Sequence, residues 1–166
     1  NIFITENKKS YLYSLAESLK SEIIHHNNFI GGRYSVLSEV GMLPAELMGF
    51  NPNKFRQLNS LIKNRRFINN LVSNVSSILG YIKNKKYNSI IINYNSNFNN
   101  LLEWYKQLVS ESLGKKSQGI LPIISNMPKD NHSTMQLYLS GFKKNFFTFF
   151  FSKDSRSNKI DNKKFL

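Results

Sequence analysis

The sequence contains no cysteine, which excludes disulfides and thiolate metal sites and favours a reducing compartment, the cytoplasm. It also lacks any apolar run of about 18 residues, the length a membrane-spanning helix needs. The opening Asn1-Ile2-Phe3-Ile4-Thr5-Glu6 is without the basic-then-apolar order of a signal peptide, so a soluble, unsecreted chain is expected. Acidic residues are scarce, 10 against 23 Lys and Arg, for a net charge of +13. Such a balance invites nucleic-acid or membrane partners, because clustered cations attract phosphate. Neither partner is expected here, since the basic residues form only small scattered groups such as Lys8-Lys9, Arg65-Arg66 and Lys115-Lys116. Asparagine is as frequent as lysine and arginine together, which a lysine- and asparagine-biased coding background explains.

What is present suits a globular fold: 40% hydrophobic and 13% aromatic residues over 166 positions can bury a core. Helical spacing predicts one amphipathic helix over Ser10 to Asn27, with Tyr11, Leu12, Leu15, Ala16, Leu19, Ile23 and Ile24 inward. A short apolar element, Ile2 to Ile4, precedes it. Between Ser38 and Met48, Pro44 removes an amide donor, and two brief helical turns are expected. A wide apolar stripe from Phe67 to Ile82 predicts a long helix bridging two domains. Strands are then expected at Ile90-Ile91-Ile92 and Gly119 to Ser125, with helices at Leu101 to Val109 and Thr134 to Ser140. Phe146 to Phe151 reads as a further strand, buried on both faces. This alternation is the βαβ rhythm of a parallel sheet, whose ligands bind at the carboxyl ends of strands. The loops to watch follow Ile30 and Ser125, together with the junction around Glu111.

Gly31-Gly32-Arg33 places two residues without Cβ beside a guanidinium, so a ligand could approach the backbone while Arg33 stabilises an anion. Read alone, the same residues describe a surface turn. Glu111 lies near the end of an apolar helix, where the helix dipole is unfavourable to negative charge. His132 stands on a polar loop, where most histidines are simply solvated. His25 and His26, adjacent on the expected helix, point about 100° apart and make a poor metal pair. No phosphate-cradling Gly-x-x-x-x-Gly-Lys loop is present, and Asp130, His132 and Ser133 do not compose a triad.

Three segments extend these fragments into a pattern. Gly31-Gly32-Arg33-Tyr34-Ser35 with Ser38 and Gly41, then Trp104-Tyr105-Lys106-Gln107-Leu108 leading into Ser110-Glu111-Ser112-Leu113-Gly114-Lys115, then Asp130-Asn131-His132-Ser133 with Gln136, stand in one order. In that order the sequence resembles the glucose-6-phosphate isomerase family. Glu39 stands where that family usually has a small residue, and Thr134-Met135 where its bacterial members commonly have Leu-Gly.

The resemblance implies an α/β fold of parallel-sheet, three-layer αβα sugar-isomerase domains of the SIS type, incomplete here. Residues 1–48 would close the first such domain, 49–86 form an interdomain helical stretch, and 87–166 open the second. It implies interconversion of glucose 6-phosphate and fructose 6-phosphate through an enediolate, with Glu111 as base, Arg33 beside the oxyanion, Gly32 against the substrate and His132 opening the ring. It also implies no cofactor and no metal, a phosphosugar substrate, and a homodimer in which His132 serves the neighbouring subunit's site. The family's serine- and threonine-rich phosphate loop is not in this chain, nor is its catalytic lysine in a Gln-x-Gly-Val-Glu context, which Lys163 and Lys164 lack. The chain therefore reads as a central fragment. The alternative is a non-catalytic sugar-phosphate-binding module on the same scaffold.

Overall fold

The computed structural model describes residues 1–152. The chain divides into two compact units, Asn1–Gly80 and Tyr81–Leu166.

In the first unit, strand β1 (Ile2–Glu6) pairs in parallel with β2 (Glu22–His26), Ile4 opposite Ile24 and Glu6 opposite His26. Helix α1 (Tyr11–Ser18) crosses between them, and Ser10 caps it by accepting from the Tyr13 amide at 3.2 Å. Ala16 is its fully buried residue. The expected helix to Asn27 is thus corrected: it stops at Ser18. Lys20 takes a left-handed φ of 50°, and the Lys20 and Ser21 amides return to the Glu17 and Ala16 carbonyls. Those two bonds form a Schellman motif that ends the helix. Beyond it the β-branched Ile23 and Ile24 gain a parallel strand partner, which outweighs the helical spacing that they happen to continue.

A 3-10 helix (Gly32–Leu37) leads to α2 (Glu39–Leu47), capped by the Ser38 hydroxyl. Here too the expectation is corrected, because α2 runs as one helix through Pro44. Proline costs the bond to the Val40 carbonyl, but the cap and the Schellman closure at Gly49 hold the segment together. Short helical pieces α3 (Pro52–Arg56) and Gln57–Lys63 precede α4 (Arg65–Lys83), whose entry is capped by Asn64 accepting from the Phe67 amide.

The second unit holds a parallel sheet in the order β4 (Leu121–Asn126), β3 (Asn88–Asn93), β5 (Asn145–Phe150). From β3 the chain crosses through α5 (Asn99–Leu113) to β4, then through α6 (Lys129–Ser133) and α7 (Met135–Ser140) to β5 on the opposite side. Right-handed crossovers running in opposite directions place α5 on one face and α6 and α7 on the other, giving three layers. The central strand β3 is accordingly buried on both faces, with Ile90, Ile91 and Ile92 at its middle and the polar Ser89 and Asn93 buried beside them. Ile90 and Ile92 pack with Met127, Ile123, Met135 and Tyr138, while Ile91, on the alternate face, is also buried.

Strand β5 departs from the expectation of burial on both faces. Asn145 and Phe146 are buried, but Phe149 is 68% exposed, because β5 has only β3 beside it among the described residues. Its inner residues are held by rings: Phe146 stacks on Tyr81 at 4.9 Å and Phe147 meets Tyr138 edge-on at 5.8 Å. Among the described residues no helix is long and apolar enough to cross a membrane.

Candidate active site

The Gly-Gly-Arg turn follows the carboxyl end of β2. The Ile30 amide bonds the Asn27 carbonyl, and the Tyr34 amide bonds that of Gly31 at 2.9 Å. Ser35 donates to the Gly32 carbonyl and Ser38 to that of Ser35, both at 2.7 Å, so the turn is closed by its own hydroxyls. Arg33 is half-buried, with its guanidinium carbon 4.7 Å from the centre of the Tyr34 ring. Gly41 and Gly32 contrast. A Cβ on Gly41 would lie 2.0 Å from the Val36 carbonyl oxygen, so the approach of the 3-10 helix to α2 requires glycine there. A Cβ on Gly32 would meet nothing within 4 Å. Neither packing nor a left-handed φ asks for glycine at position 32, and its bare backbone is exposed.

At the mouth of this turn sits a pair that sequence reasoning passed over. His26 lies on strand β2 rather than on a helix, so its ring and that of His25 point to opposite faces. His25 stacks on Tyr13, while His26 reaches the Glu39 carboxylate through Nδ1 and the Ile30 carbonyl through Nε2 at 3.0 Å. Glu39 and then the Ile30 carbonyl hold the imidazole pKa above its ordinary 6.5. The Glu39 carboxyl is held below its ordinary value by its own backbone amide first, then by His26. No period-2 alternation marks Glu22 to His26 as a strand, so the sequence carries no local signal for the pair.

In the second unit Glu111 is exposed on the last turn of α5, accepting a bond from Gln107 at 2.9 Å. The Gly114 amide closes the helix onto the Ser110 carbonyl, and Lys115 to Gln118 form a tight turn with positive φ at Lys116 and Ser117. His132 is exposed on α6. Its loop is pinned by Asp130, whose carboxylate accepts from the Ser125 hydroxyl at 3.1 Å and the Asn126 amide at 2.8 Å. Gln136 is exposed on α7. Asn93, 1% exposed, donates to Asn99 and Asn126 and so fixes the start of α5 at the carboxyl edge of the sheet.

That edge places Glu111 and His132 apart. Helix α5 starts beside the carboxyl end of β3 and runs back along the sheet, so Glu111 lies toward the amino end of β4. His132 follows the carboxyl end of β4, so this six-residue strand, about 20 Å long, runs between the two positions. Lys163 and Lys164 lie outside the described residues. Among the described residues no group of three His, Asp or Glu side chains is placed to hold a metal ion.

A parallel sheet with helices on both faces makes this an α/β protein of the doubly wound kind. It is similar over most of its length to a hypothetical protein from Thermus thermophilus, with a TM-score of 0.72 at 24% identity, covering 89% of this chain and 37% of that one. In sequence the chain is similar to glucose-6-phosphate isomerases. The Methanocaldococcus jannaschii protein of that name is 35% identical over 161 residues, 93% of this chain and 39% of the relative. The Campylobacter jejuni protein of the same name is 31% identical over 164 residues, 96% of this chain and 40% of the relative. A third, from Mycoplasma capricolum subsp. capricolum, is 34% identical over 145 residues. The chain thus spans about two fifths of the length of such relatives. No protein-family model matches it.

Proposed function

We propose that this chain is part of an isomerase that interconverts glucose 6-phosphate and fructose 6-phosphate. The observation that carries the reading is the match to proteins named for that activity along 93% of this chain, through all three motif segments. Residues 1–48 would then close a first sugar-isomerase domain, 49–86 connect, and 87–166 open a second, in a cytoplasmic enzyme.

Aldose–ketose isomerisation moves a proton between neighbouring carbons, so it needs one base and a positive group beside the enediolate oxygen. Glu111 is the base in this reading. Arg33 faces the oxyanion, and the bare backbone of Gly32 lets the sugar come within contact distance. His132 exchanges the ring-oxygen proton, a task suited to imidazole near neutral pH. The separation of His132 from Glu111 along β4 supports a site shared between two copies of the chain, His132 serving the partner's site. Glu111 distinguishes catalysis from mere phosphosugar binding, since a binding module has no use for a base.

The test is fructose 6-phosphate turnover by the full-length protein. Glu111→Gln is expected to lower kcat by about 100-fold or more with little change in KM, the usual effect of removing a positioned base. Unchanged kcat would remove Glu111 from the role, and phosphosugar binding without any turnover in the wild type would favour the binding module.

A further inference from the structure

The His26–Glu39 pair lies where the chain passes from β2 into the Gly-Gly-Arg turn. Both imidazole nitrogens face acceptors: Nδ1 faces the Glu39 carboxylate and Nε2 the Ile30 carbonyl at 3.0 Å. A neutral histidine has a single N–H and would leave one of these contacts without a proton, so the arrangement calls for the imidazolium. The two acceptors come from the two sides of the turn. Ile30 immediately precedes Gly31, and Glu39 is the first residue of α2. The ring therefore joins the start of the turn to the element that follows it.

We propose that protonated His26 and Glu39 form a charged clamp that holds the Gly31-Gly32-Arg33 turn in place, making both of them positioning residues for the Arg33 guanidinium against an anionic sugar. The Arg33 part rests on the isomerase reading above; the clamp itself does not. The His26 side chain is 12% exposed and that of Glu39 31%, so the pair is partly sheltered from competing water. The charged groups around the ring act in the same sense. Glu39 faces it from α2, and Glu6, its register partner on β1, adds a second negative charge. His25, the neighbouring titratable group on its own strand, points to the other face against Tyr13.

The clamp makes the turn sensitive to pH. As pH rises through the His26 titration one N–H is lost, and either Ile30 or Glu39 is released. In a working isomerase this would loosen Arg33 on the alkaline side.

The experiment uses the full-length protein with Glu39→Gln, Glu39→Asp and His26→Gln. Nuclear magnetic resonance follows the His26 ring against pH and amide exchange across residues 30 to 34, neither of which needs turnover. His26 is expected to titrate above 6.5 in the wild type, to fall in Glu39→Gln, and to recover in part in Glu39→Asp. Turn exchange is expected to rise about tenfold in Glu39→Gln, the scale of one lost charge-assisted bond. Ring titration at or below the ordinary value, or exchange equal in wild type and Glu39→Gln, would overturn the clamp. Kinetics then test its consequence: the alkaline limb of kcat should move to lower pH in Glu39→Gln and vanish in His26→Gln. An unmoved alkaline limb beside an altered ring titration overturns the positioning of Arg33. Absence of all turnover in the wild type refutes the isomerase reading instead, with ring and exchange still deciding the clamp.

Discussion

Gly32 and Gly41 stand nine positions apart in the same motif, yet the structure separates what each glycine does. An alanine at 41 would drive its Cβ into the Val36 carbonyl. Gly41→Ala is therefore expected to destabilise the first unit by about 1 to 3 kcal/mol, read as a lowered thermal midpoint. At 32 a methyl meets open space, so Gly32→Ala should leave stability within about 0.5 kcal/mol. If the sugar contacts that backbone as proposed, the same change lowers kcat/KM; unaltered kinetics would remove Gly32 from the substrate surface. The His26–Glu39 pair adds a stability signature with a defined sign. The raised pKa of His26 gives a contribution complete below 6.5 and lost as pH climbs through the raised value. The lowered pKa of Glu39 gives one complete above 4.5 and lost as pH falls through the lowered value. The stability gap between wild type and Glu39→Gln should thus be widest between these two ordinary values and narrow on either side, as urea unfolding across pH would reveal.

Elements formed where local pattern and tertiary pairing agreed. Asn88–Asn93 was legible because Ile90, Ile91 and Ile92 are all buried, so three consecutive apolar residues had one interpretation. Ser10 to Asn27 was misread because Ile23 and Ile24 continue a helical spacing while their strand partner lies some twenty residues away on β1, beyond the reach of local pattern. The break between helix and strand is carried by Lys20 in a left-handed conformation, which only the backbone displays. Lys85 closes α4 in the same way, with φ 58° and the Lys86 amide on the Tyr81 carbonyl. Glycine adopts this conformation without the Cβ penalty, so Lys20→Gly and Lys85→Gly are each expected to stabilise by about 0.5 to 1 kcal/mol. A lower melting temperature in either variant would mean that the lysine side chain contributes more than its backbone costs. The candidate site divides along the same line. Arg33, Glu111 and His132 stood out through short motifs, whereas His26, Asn93 and Asp130 act through partners that no linear spacing reveals.

At the scale of the whole molecule the decisive relation is between Glu111 and His132. Both belong to the second unit, but α5 returns to the amino edge of the sheet and α6 leaves from its carboxyl edge, so one strand length lies between them. Proton transfer requires each group within hydrogen-bond reach of the same sugar. In the proposed reading, two copies related by a twofold axis would meet that requirement, each lending His132 to the other. The consequence is measurable without a structure of the dimer. Glu111→Gln and His132→Ala would each be inactive alone. Unfolded together and refolded as a mixture, they would form mixed dimers in which one site carries both defects and the other carries neither. With random pairing half of the dimers are mixed and half of their sites are intact, so about a quarter of wild-type activity should return. Recovery near that fraction, growing with protein concentration as dimers assemble, would place the two residues on opposite chains. A mixture as inactive as its components would require both groups to act within one chain, and His132 would then lose its proposed role, because the sheet holds it a strand length from the base.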